Sequence, residues 1–507
     1  MSNVYLLSVL AKIGIIRPNR KNSPANFFNA KRKCKFVGKV TFMNHRNLIT
    51  MAAALLMALS AVAAPKGGIS KEMLERLRRS YQNTPTDRAL RNAINSVDLT
   101  TLASNADNHT PVDMAFTYRV PSRGITDQKS SGRCWLFTGL NVLRAQMMDT
   151  HKLPKLELSQ NYNFFFDQLE KSNLFLQSII DTHDLDMTDK KVEFLFKNPL
   201  SDGGQYTGIS DNIMKYGVVP AEVWPETYSS NNTSRMRQLI SLKLREDGLE
   251  LRRMLADGST VAQAEERKEK MLEEIYRILA LTLGVPPTQF EWTRRDAAGN
   301  FIDRRTYTPQ QFYKEFAGND LKKDYVMLMN DPTRPYYKLY EIDLDRHTYD
   351  GENWRYINLP VEDIKAAAIA SIKDGKMMYF SCDVGQMFDR KKGLLDIDNY
   401  AYGDLLGTTF GMDKADRIRT FASASSHAMT LVAVDVDADG KPLRWMVENS
   451  WGPGVNDGHL IMTDRWFDEY MFRLVIDKKY VDKKILDILK QKPEMLPAWD
   501  PMFSDEN

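Results

Sequence analysis

Apolar residues recur at helical spacing in the segment that follows Cys134. Leu136, Leu140, Leu143 and Met147 follow one another at steps of four, three and four residues, which places them on one face of an α-helix. The pattern predicts a helix that begins at or near Cys134.

Two long helices are predicted in a charged stretch in the middle of the chain, residues 230–290. The first covers 234–256. The second covers 261–283, because Thr260 and Gln263 form a capping box and a glycine followed by two prolines ends the helix. The two helices predict a hairpin that is inserted into the fold, and its charge suits either packing on the core or contact with another subunit.

Short apolar runs separated by polar turns mark the C-terminal half. The runs at 378–380, 429–436 and 445–447 are β-like, and the turns at 437–440 and 452–458 are typical of antiparallel strands. Together with the upstream helices they predict an α+β fold. Upstream, residues 65–119 are mostly polar and predict an N-terminal arm that packs on the body.

Basic residues are concentrated at the N-terminus. Residues 1–64 contain ten Lys and Arg and no Asp or Glu, which leaves 59 basic and 66 acidic residues in the rest of the chain, a net charge of −7. A body of that sign gives no reason to expect binding to nucleic acid.

The basic segment contains a secretion signal when it is read from Met43. Arg46 precedes an apolar run at 48–59, and the small residues at 61–64 suit a cleavage site, so 43–64 is predicted to be a signal peptide. Residues 1–42 have no helix or strand period, and we interpret them as a non-native extension from an upstream start codon.

This signal predicts export, with a periplasmic location, or a cytoplasmic one if the segment is unused. The apolar run is short for a membrane span, although a buried or membrane helix is the alternative. No cysteine follows the cleavage site, so no stable membrane anchor is expected.

Three cysteines are present, and only Cys134 and Cys382 remain if the leader is removed. A disulfide framework is therefore not expected. Cys382 ends an apolar run and is predicted to be a buried strand residue without a catalytic role.

Cys134 has the surroundings of a nucleophile. The N-terminus of a helix favours a thiolate through its unpaired N–H groups and its dipole. Gln128 lies six residues upstream across a turn, where its amide N–H can reach the oxygen of a carbonyl under attack.

His427 is the candidate base among seven histidines. It begins an apolar strand, where a lone histidine is usually structural, but Asn449 follows 22 residues later and can accept a hydrogen bond from the imidazole. Trp451 can shield that bond from water. His45 belongs to the leader, and four further histidines lie in polar surroundings and are predicted to be on the surface: His109, His151, His183 and His347.

The chain order Gln128, Cys134, His427, Asn449 resembles that of the papain-like cysteine peptidases. Other segments are similar to the bleomycin hydrolase and aminopeptidase C branch of that superfamily, and the resemblance extends from about residue 71 to 502. These segments are 202–205, 215–220, 382–385, 426–429, 447–452, 462–467 and 496–502.

The resemblance implies a two-lobed papain-like fold with the helical hairpin as an insertion. A helical lobe at 120–229 would carry the cysteine, and an antiparallel β lobe at 291–490 would carry the histidine and asparagine. The C-terminal arm at 491–507 would lie near the active-site cleft.

The resemblance also implies a role for each matched residue. Cys134 would be the nucleophile, His427 the base, Asn449 the residue that orients it and Gln128 the oxyanion donor, with no metal and no cofactor. Further substrate contacts are expected at Gly203, Gly204, Trp135, Trp451 and Asn507.

The implied activity is that of an aminopeptidase, in which the arm receives the free amine of a peptide substrate. The ending at 503–507 is larger and more acidic than the small apolar ending of the family. An endopeptidase is therefore the alternative, and a preference for basic N-terminal residues is a further possibility. Relatives form hexamers, which implies a homo-oligomer; some bind DNA, which the charge of the body argues against.

Two other classes of function compete with this prediction. A peptide-binding scaffold without catalysis would lack one of the four roles, and none is missing. A transglutaminase or other acyltransferase would usually have Asp at the position of Asn449.

Overall fold

The structure is a computed structural model that describes residues 67–503. The predicted extension at 1–42, the predicted signal peptide and residues 504–507 lie outside the described residues. Within that range, residues 67–88 and 89–503 form two separate units. Between residues 67 and 503, no helix combines the length and the apolar character needed to cross a bilayer.

The helices are α1 (Lys71–Ser80), α2 (Pro85–Ile94), α3 (Leu99–Leu102), α4 (Cys134–His151), α5 (Gln160–Asp181), α6 (Lys190–Lys197), α7 (Tyr206–Tyr216), α8 (Ser234–Ala256), α9 (Val261–Leu283), α10 (Pro309–Phe316), α11 (Val361–Lys373), α12 (Tyr402–Leu406), α13 (Lys414–Arg419), α14 (Asp464–Tyr470) and α15 (Lys483–Leu486).

The strands are β1 (Tyr118–Arg119), β2 (Phe290–Arg295), β3 (Phe301–Tyr307), β4 (Tyr325–Met329), β5 (Lys338–Ile342), β6 (Arg355–Asn358), β7 (Met378–Cys382), β8 (Phe388–Asp389), β9 (Leu394–Leu395), β10 (His427–Val436), β11 (Pro442–Glu448), β12 (His459–Thr463), β13 (Met471–Asp477) and β14 (Glu494–Leu496).

Helices α4, α5 and α7 form the centre of a helical region, and the α8–α9 hairpin packs on α5. The capping box predicted for α9 is present: the Thr260 hydroxyl accepts from the Gln263 N–H, and the Gln263 side chain accepts from the Thr260 N–H. One face of α9 is buried through Met271 and Ile275. The predicted bounds of both helices are confirmed, and the hairpin contributes to the core.

A large sheet follows, in which the described strands run in the order β14-β5-β6-β4-β13-β7-β10-β11-β12-β9-β8, with β1 also pairing with β10. Strand β10 is central and pairs antiparallel with both β7 and β11. The predictions of strands at 378–380, 429–436 and 445–447 are confirmed, and so is the α+β class. Cys382 is fully buried in β7, as predicted.

The described residues form two hydrophobic cores, and apolar residues of β7 and β13 alternate between them. One core is mainly helical and includes Cys134, whereas the other fills the sheet around Cys382 and Trp445. Helix α4 packs on β10, so the N-terminus of the helix is brought to the strand that begins at His427. This contact positions the candidate site.

Candidate active site

Cys134 is the first residue of α4, as predicted. Its neighbour Arg133 is fully buried, donates from Nε to the Ser131 hydroxyl at 3.1 Å and pairs with Glu226 at 2.8 Å. Because this arginine is held on both sides, the turn that presents Cys134 is fixed. The 18-residue helix behind the thiol favours the thiolate through its dipole.

His427 and Asn449 lie side by side at the ends of neighbouring strands. The imidazole Nε2 is 2.8 Å from Asn449 Oδ1, which leaves Nδ1 as the other ring nitrogen for proton transfer. Trp451 stacks on the imidazole with ring centroids 4.8 Å apart and covers the hydrogen bond on one side. This geometry agrees with the prediction that Asn449 bonds to His427 and that Trp451 covers the bond.

Burial lowers the pKa of His427 to about 4, the hydrogen bond with Asn449 opposes this effect, and the charge of Arg390 adds to it. The imidazole is therefore neutral at neutral pH. A neutral imidazole can accept a proton, which is what a base beside a thiol requires.

Gln128 is held with its amide in one orientation. Its Oε1 accepts from the Ser450 hydroxyl at 2.6 Å, and its Nε2 donates to the Ser131 carbonyl at 2.7 Å. An amide nitrogen carries two hydrogens, so one N–H remains for a substrate oxyanion. Ser450 was not identified from the sequence, although it directly follows Asn449.

Asp202 joins the turn before Cys134 to the segment that contains Gly203 and Gly204. Its carboxylate accepts from the Gly132 N–H at 2.9 Å, and its carbonyl accepts from Trp135 Nε1 at 2.9 Å. A Cβ at Gly132 would lie 2.8 Å from Asp202 Oδ1, so the approach requires glycine.

The two glycines of the predicted substrate segment differ in their hydrogen bonds. The Gly203 N–H donates to the Ser201 hydroxyl at 3.0 Å, and the Gly203 carbonyl accepts from Lys171 Nζ at 2.6 Å. Among the described residues, the Gly204 N–H and C=O have no hydrogen-bond partner. Gly204 is therefore the position with backbone groups left for a peptide.

Two predictions need correction. Trp135 was expected to contact substrate, but its side chain is fully buried and supports the Asp202 backbone instead. His347 was expected on the surface, but it is 4% exposed, because it packs edge-on against Trp135 and pairs with Asp167. Of the other three, His109 and His183 are exposed and His151 is half-buried.

A buried polar cluster lies beneath the glycine segment. His347 Nδ1 is 2.6 Å from Asp167, and Lys171 Nζ is 3.0 Å from the same carboxylate. Burial alone would raise the pKa of Asp167, but Lys171 and His347 outweigh it and keep that pKa below its ordinary value. Burial and the charge of Lys171 lower the pKa of His347, so its ring is neutral. The only sequence signal for this cluster is the i, i+4 pair Asp167 and Lys171 in an otherwise buried helix.

The C-terminal arm is anchored as far as the structure describes it. Asp500 pairs with Arg334 at 2.9 Å, and the Met502 carbonyl accepts from Arg473 Nη2 at 2.9 Å. The Phe503 ring packs against Phe194 with centroids 5.2 Å apart. Asn507, the remaining predicted substrate contact, lies outside the described residues.

The arm forms one wall of a cavity of about 350 Å³. Gly203 and Ser425, two residues before His427, line the same cavity together with Trp499 and Phe503. The last described residue of the arm therefore lines a cavity that reaches to within two residues of His427 in the sequence. Within residues 67–503, no three His, Cys, Asp or Glu side chains are grouped so as to hold a metal ion.

Comparisons with known proteins identify the family of the chain. The Peptidase C1-like family model matches residues 68–503. Aminopeptidase C of Streptococcus thermophilus is 37% identical over 439 residues, which are 86% of this chain and 98% of that protein. Bleomycin hydrolase of Homo sapiens is 37% identical over 447 residues, with the same shares covered.

The crystal structure of PepW from Lactobacillus rhamnosis HN001 has a TM-score of 0.83 and 40% identity, covering 86% of this chain and 99% of that one. Both the family model and these relatives span most of the chain. The chain therefore belongs to the Peptidase C1-like family and is a papain-like cysteine peptidase.

Proposed function

We propose that the protein is an aminopeptidase that releases N-terminal residues from peptides through an acyl-enzyme on Cys134. The observation that carries the proposal is the anchored arm, whose Phe503 lies in the cavity that also contains Gly203 and Ser425. An arm in this place blocks the extension of a peptide beyond its N-terminal residues. The relatives named aminopeptidase C support the same activity.

The acylation step uses the residues brought together at the ends of α4 and β10. His427 takes the proton of the Cys134 thiol, and the thiolate adds to the carbonyl carbon of the scissile peptide bond. The free N–H of Gln128 stabilises the oxyanion. His427 then gives its proton to the leaving amine, and the C–N bond breaks.

Water completes the cycle. His427 removes a proton from a water molecule that attacks the thioester, and the Cys134 thiolate leaves as the released amino acid gains a carboxylate. Asn449 keeps the imidazole in one orientation through both steps. The chemistry needs no group beyond these side chains.

The acidic residues after Phe503 fit a free amine. Asp505 and Glu506 are two and three residues after Phe503 in the sequence. A carboxylate there would pair with the α-ammonium of a substrate, and a second would suit Lys or Arg as the N-terminal residue.

We also propose that the protein is exported, because 43–64 has the composition of a signal peptide. The expected mature N-terminus is near Ala64 or Pro65. Mass spectrometry of protein from the cell envelope measures this directly. An intact N-terminus that includes residues 1–42 would contradict the proposal.

Self-association is a further part of the proposal, since the resemblance implies a homo-oligomer. Leu242 on α8 and Leu281 on α9 are 64% and 72% exposed, which supports a contact surface on the hairpin. Sedimentation velocity measures the oligomeric state. A monomer at micromolar concentration would contradict the proposed self-association.

Substitution of the two thiols should separate their roles. Cys134→Ala is expected to reduce kcat/KM by at least about 10⁴-fold, because no other group can form the acyl-enzyme. Cys382→Ala should keep most of the activity, since its side chain is buried in β7. Asn449→Ala should slow hydrolysis roughly ten- to a hundredfold with the fold intact.

Iodoacetamide labelling near neutral pH is the second measurement on the same proteins. Cys134 should be alkylated first, because a helix N-terminus favours its thiolate. Preferential labelling of Cys382 would mean that the wrong thiol has been identified.

Gly204→Ala should weaken substrate binding. A Cβ at this position would overlap the imidazole of His347, so the segment must shift and its free N–H and C=O move with it. The expected result is a rise in KM and a loss of roughly ten- to a hundredfold in kcat/KM. Gly411→Ala is the control, because nothing lies within 4 Å of a Cβ there. Equal kinetics in the two variants would contradict the role of Gly204.

Deletion of residues 504–507 tests the aminopeptidase proposal itself. The intact enzyme should cleave an unblocked peptide at least about tenfold better than its acetylated copy, because a charge-assisted contact to the free amine contributes about 1.5 to 3 kcal/mol. The deletion should reduce this ratio towards one. If the intact enzyme cleaves both peptides equally well, it is an endopeptidase, and if deletion leaves the ratio unchanged, the tail does not select the free amine.

A further inference from the structure

A basic hairpin tip lies beside the loop that contains Trp451. Strands β8 and β9 are joined by the tip, which contains Arg390, Lys391 and Lys392. Asn456 in the Trp451 loop donates from Nδ2 to the Lys392 carbonyl at 2.9 Å. The tip is therefore fixed relative to the loop that covers the catalytic histidine.

Arg390 packs on Trp451, the residue that stacks on His427. Its guanidinium lies over the Trp451 ring at 5.7 Å and over the Phe388 ring at 5.0 Å. Trp451 in turn stacks on His427 at 4.8 Å. Two aromatic rings thus contact the arginine, and one of them is the indole that stacks on His427.

The N–H groups of this arginine are unpaired within the described structure, although its charge helps to lower the pKa of His427. Arg390 is exposed, and its guanidinium makes no hydrogen bond or ion pair with any residue in 67–503. In contrast, Lys392 in the same tip has Asp389 at 3.7 Å. A guanidinium that packs on aromatic rings can still donate hydrogen bonds from the N–H groups at its edge. Two of these groups can bind the two oxygens of one carboxylate.

The position of the stack relative to the scissile bond follows from the cavity. In the proposed mechanism the acyl part of the substrate lies towards Gly204 and the arm. The cavity between Gly203 and the arm is lined by neither Trp451 nor Arg390. His427 donates its proton to the leaving amine, so the leaving peptide extends from the imidazole away from that cavity. Trp451 stacks on the imidazole and Arg390 lies over Trp451, and we place both on the leaving side because neither lines the cavity on the acyl side.

We infer that Arg390 binds a carboxylate of the leaving peptide, within the first two residues after the scissile bond. The carboxylate has two sources with the same chemistry: the C-terminus of a di- or tripeptide, or the side chain of an Asp or Glu. Together with an arm that receives the amine, this subsite favours short or acidic peptides. The inference rests on the proposed peptidase function and adds to it a preference on the leaving side.

Two matched pairs of peptides test the inference. The first is Leu-Ala-Ala with a free C-terminal carboxylate against its C-terminal amide. The second is Leu-Glu-Ala amide against Leu-Gln-Ala amide. The wild-type enzyme should show kcat/KM roughly three- to tenfold higher for the charged member of at least one pair, and which pair responds identifies the source of the carboxylate.

Variants of the tip assign the effect to Arg390. Arg390→Gln should bring the ratio close to one, and Arg390→Lys should keep part of it. Lys391→Gln is the matched control, because it removes the same charge from an exposed neighbour that does not stack on Trp451. A ratio near one in the wild type, an unchanged ratio in Arg390→Gln, or an equal loss in Lys391→Gln would each overturn the inference.

Binding measurements separate this inference from the proposed function. The same peptides are titrated calorimetrically into Cys134→Ala and into the double variant with Arg390→Gln, so that no cleavage occurs. If the wild type cleaves no peptide but the charged members bind Cys134→Ala three- to tenfold more tightly in an Arg390-dependent way, the proposed function fails and the subsite stands. If cleavage occurs and neither ratio depends on Arg390, the subsite fails and the peptidase function stands.

Discussion

The site depends on the pairing of two loops that are far apart in the sequence, residues 126–128 and residues 450–452. The Gln128 N–H donates to the Ser450 carbonyl at 2.8 Å, the Ser450 hydroxyl donates to Gln128 Oε1 at 2.6 Å, and the Gly452 N–H donates to the Thr126 carbonyl at 3.0 Å. One loop leads into the helix of Cys134, and the other leaves the strand next to His427. Because the pairing combines two backbone hydrogen bonds with one between side chains, it fixes Gln128 relative to both the helix of Cys134 and the strand of His427.

Burial of the imidazole makes this arrangement act as a unit. Because the pKa of His427 is lowered to about 4 by burial, the protonated ring is unfavourable unless an anion lies beside it. A thiolate on Cys134 would supply that anion, and the helix N-terminus favours the thiolate. In the proposed mechanism, protonation of His427 accompanies ionisation of Cys134, and the hydrogen bond to Asn449 keeps the ring in one orientation while the proton passes.

The features that the sequence predicted well are local ones. The start of α4 at Cys134, the capping box of Thr260 and the strand at His427 follow from spacing and residue type within a few positions. The burial of His347 does not follow from local spacing or residue type, because its partner Asp167 is 180 residues away. Both residues look like surface residues in their own segments. The support given by Ser450 to Gln128 also depends on a contact across 322 residues. Long-range partners of polar residues are what periodicity cannot reveal.

The buried cluster of Asp167, Lys171 and His347 and the backbone at Gly203 and Gly204 restrict each other's positions. Burying a carboxylate with a lysine and a neutral histidine costs desolvation energy, which the hydrogen bonds of the cluster must offset. The cluster therefore adds little to the free energy of unfolding but restricts its side chains to one geometry. Lys171 uses that geometry to hold the Gly203 carbonyl. His347 occupies the space that a Cβ on Gly204 or Gly208 would need, so only glycine allows the backbone to lie against the imidazole. The polar groups of Gly203 are bonded to Lys171 and Ser201, whereas those of Gly204 are not bonded within residues 67–503, so a peptide that pairs with this segment as proposed has its register set at Gly204.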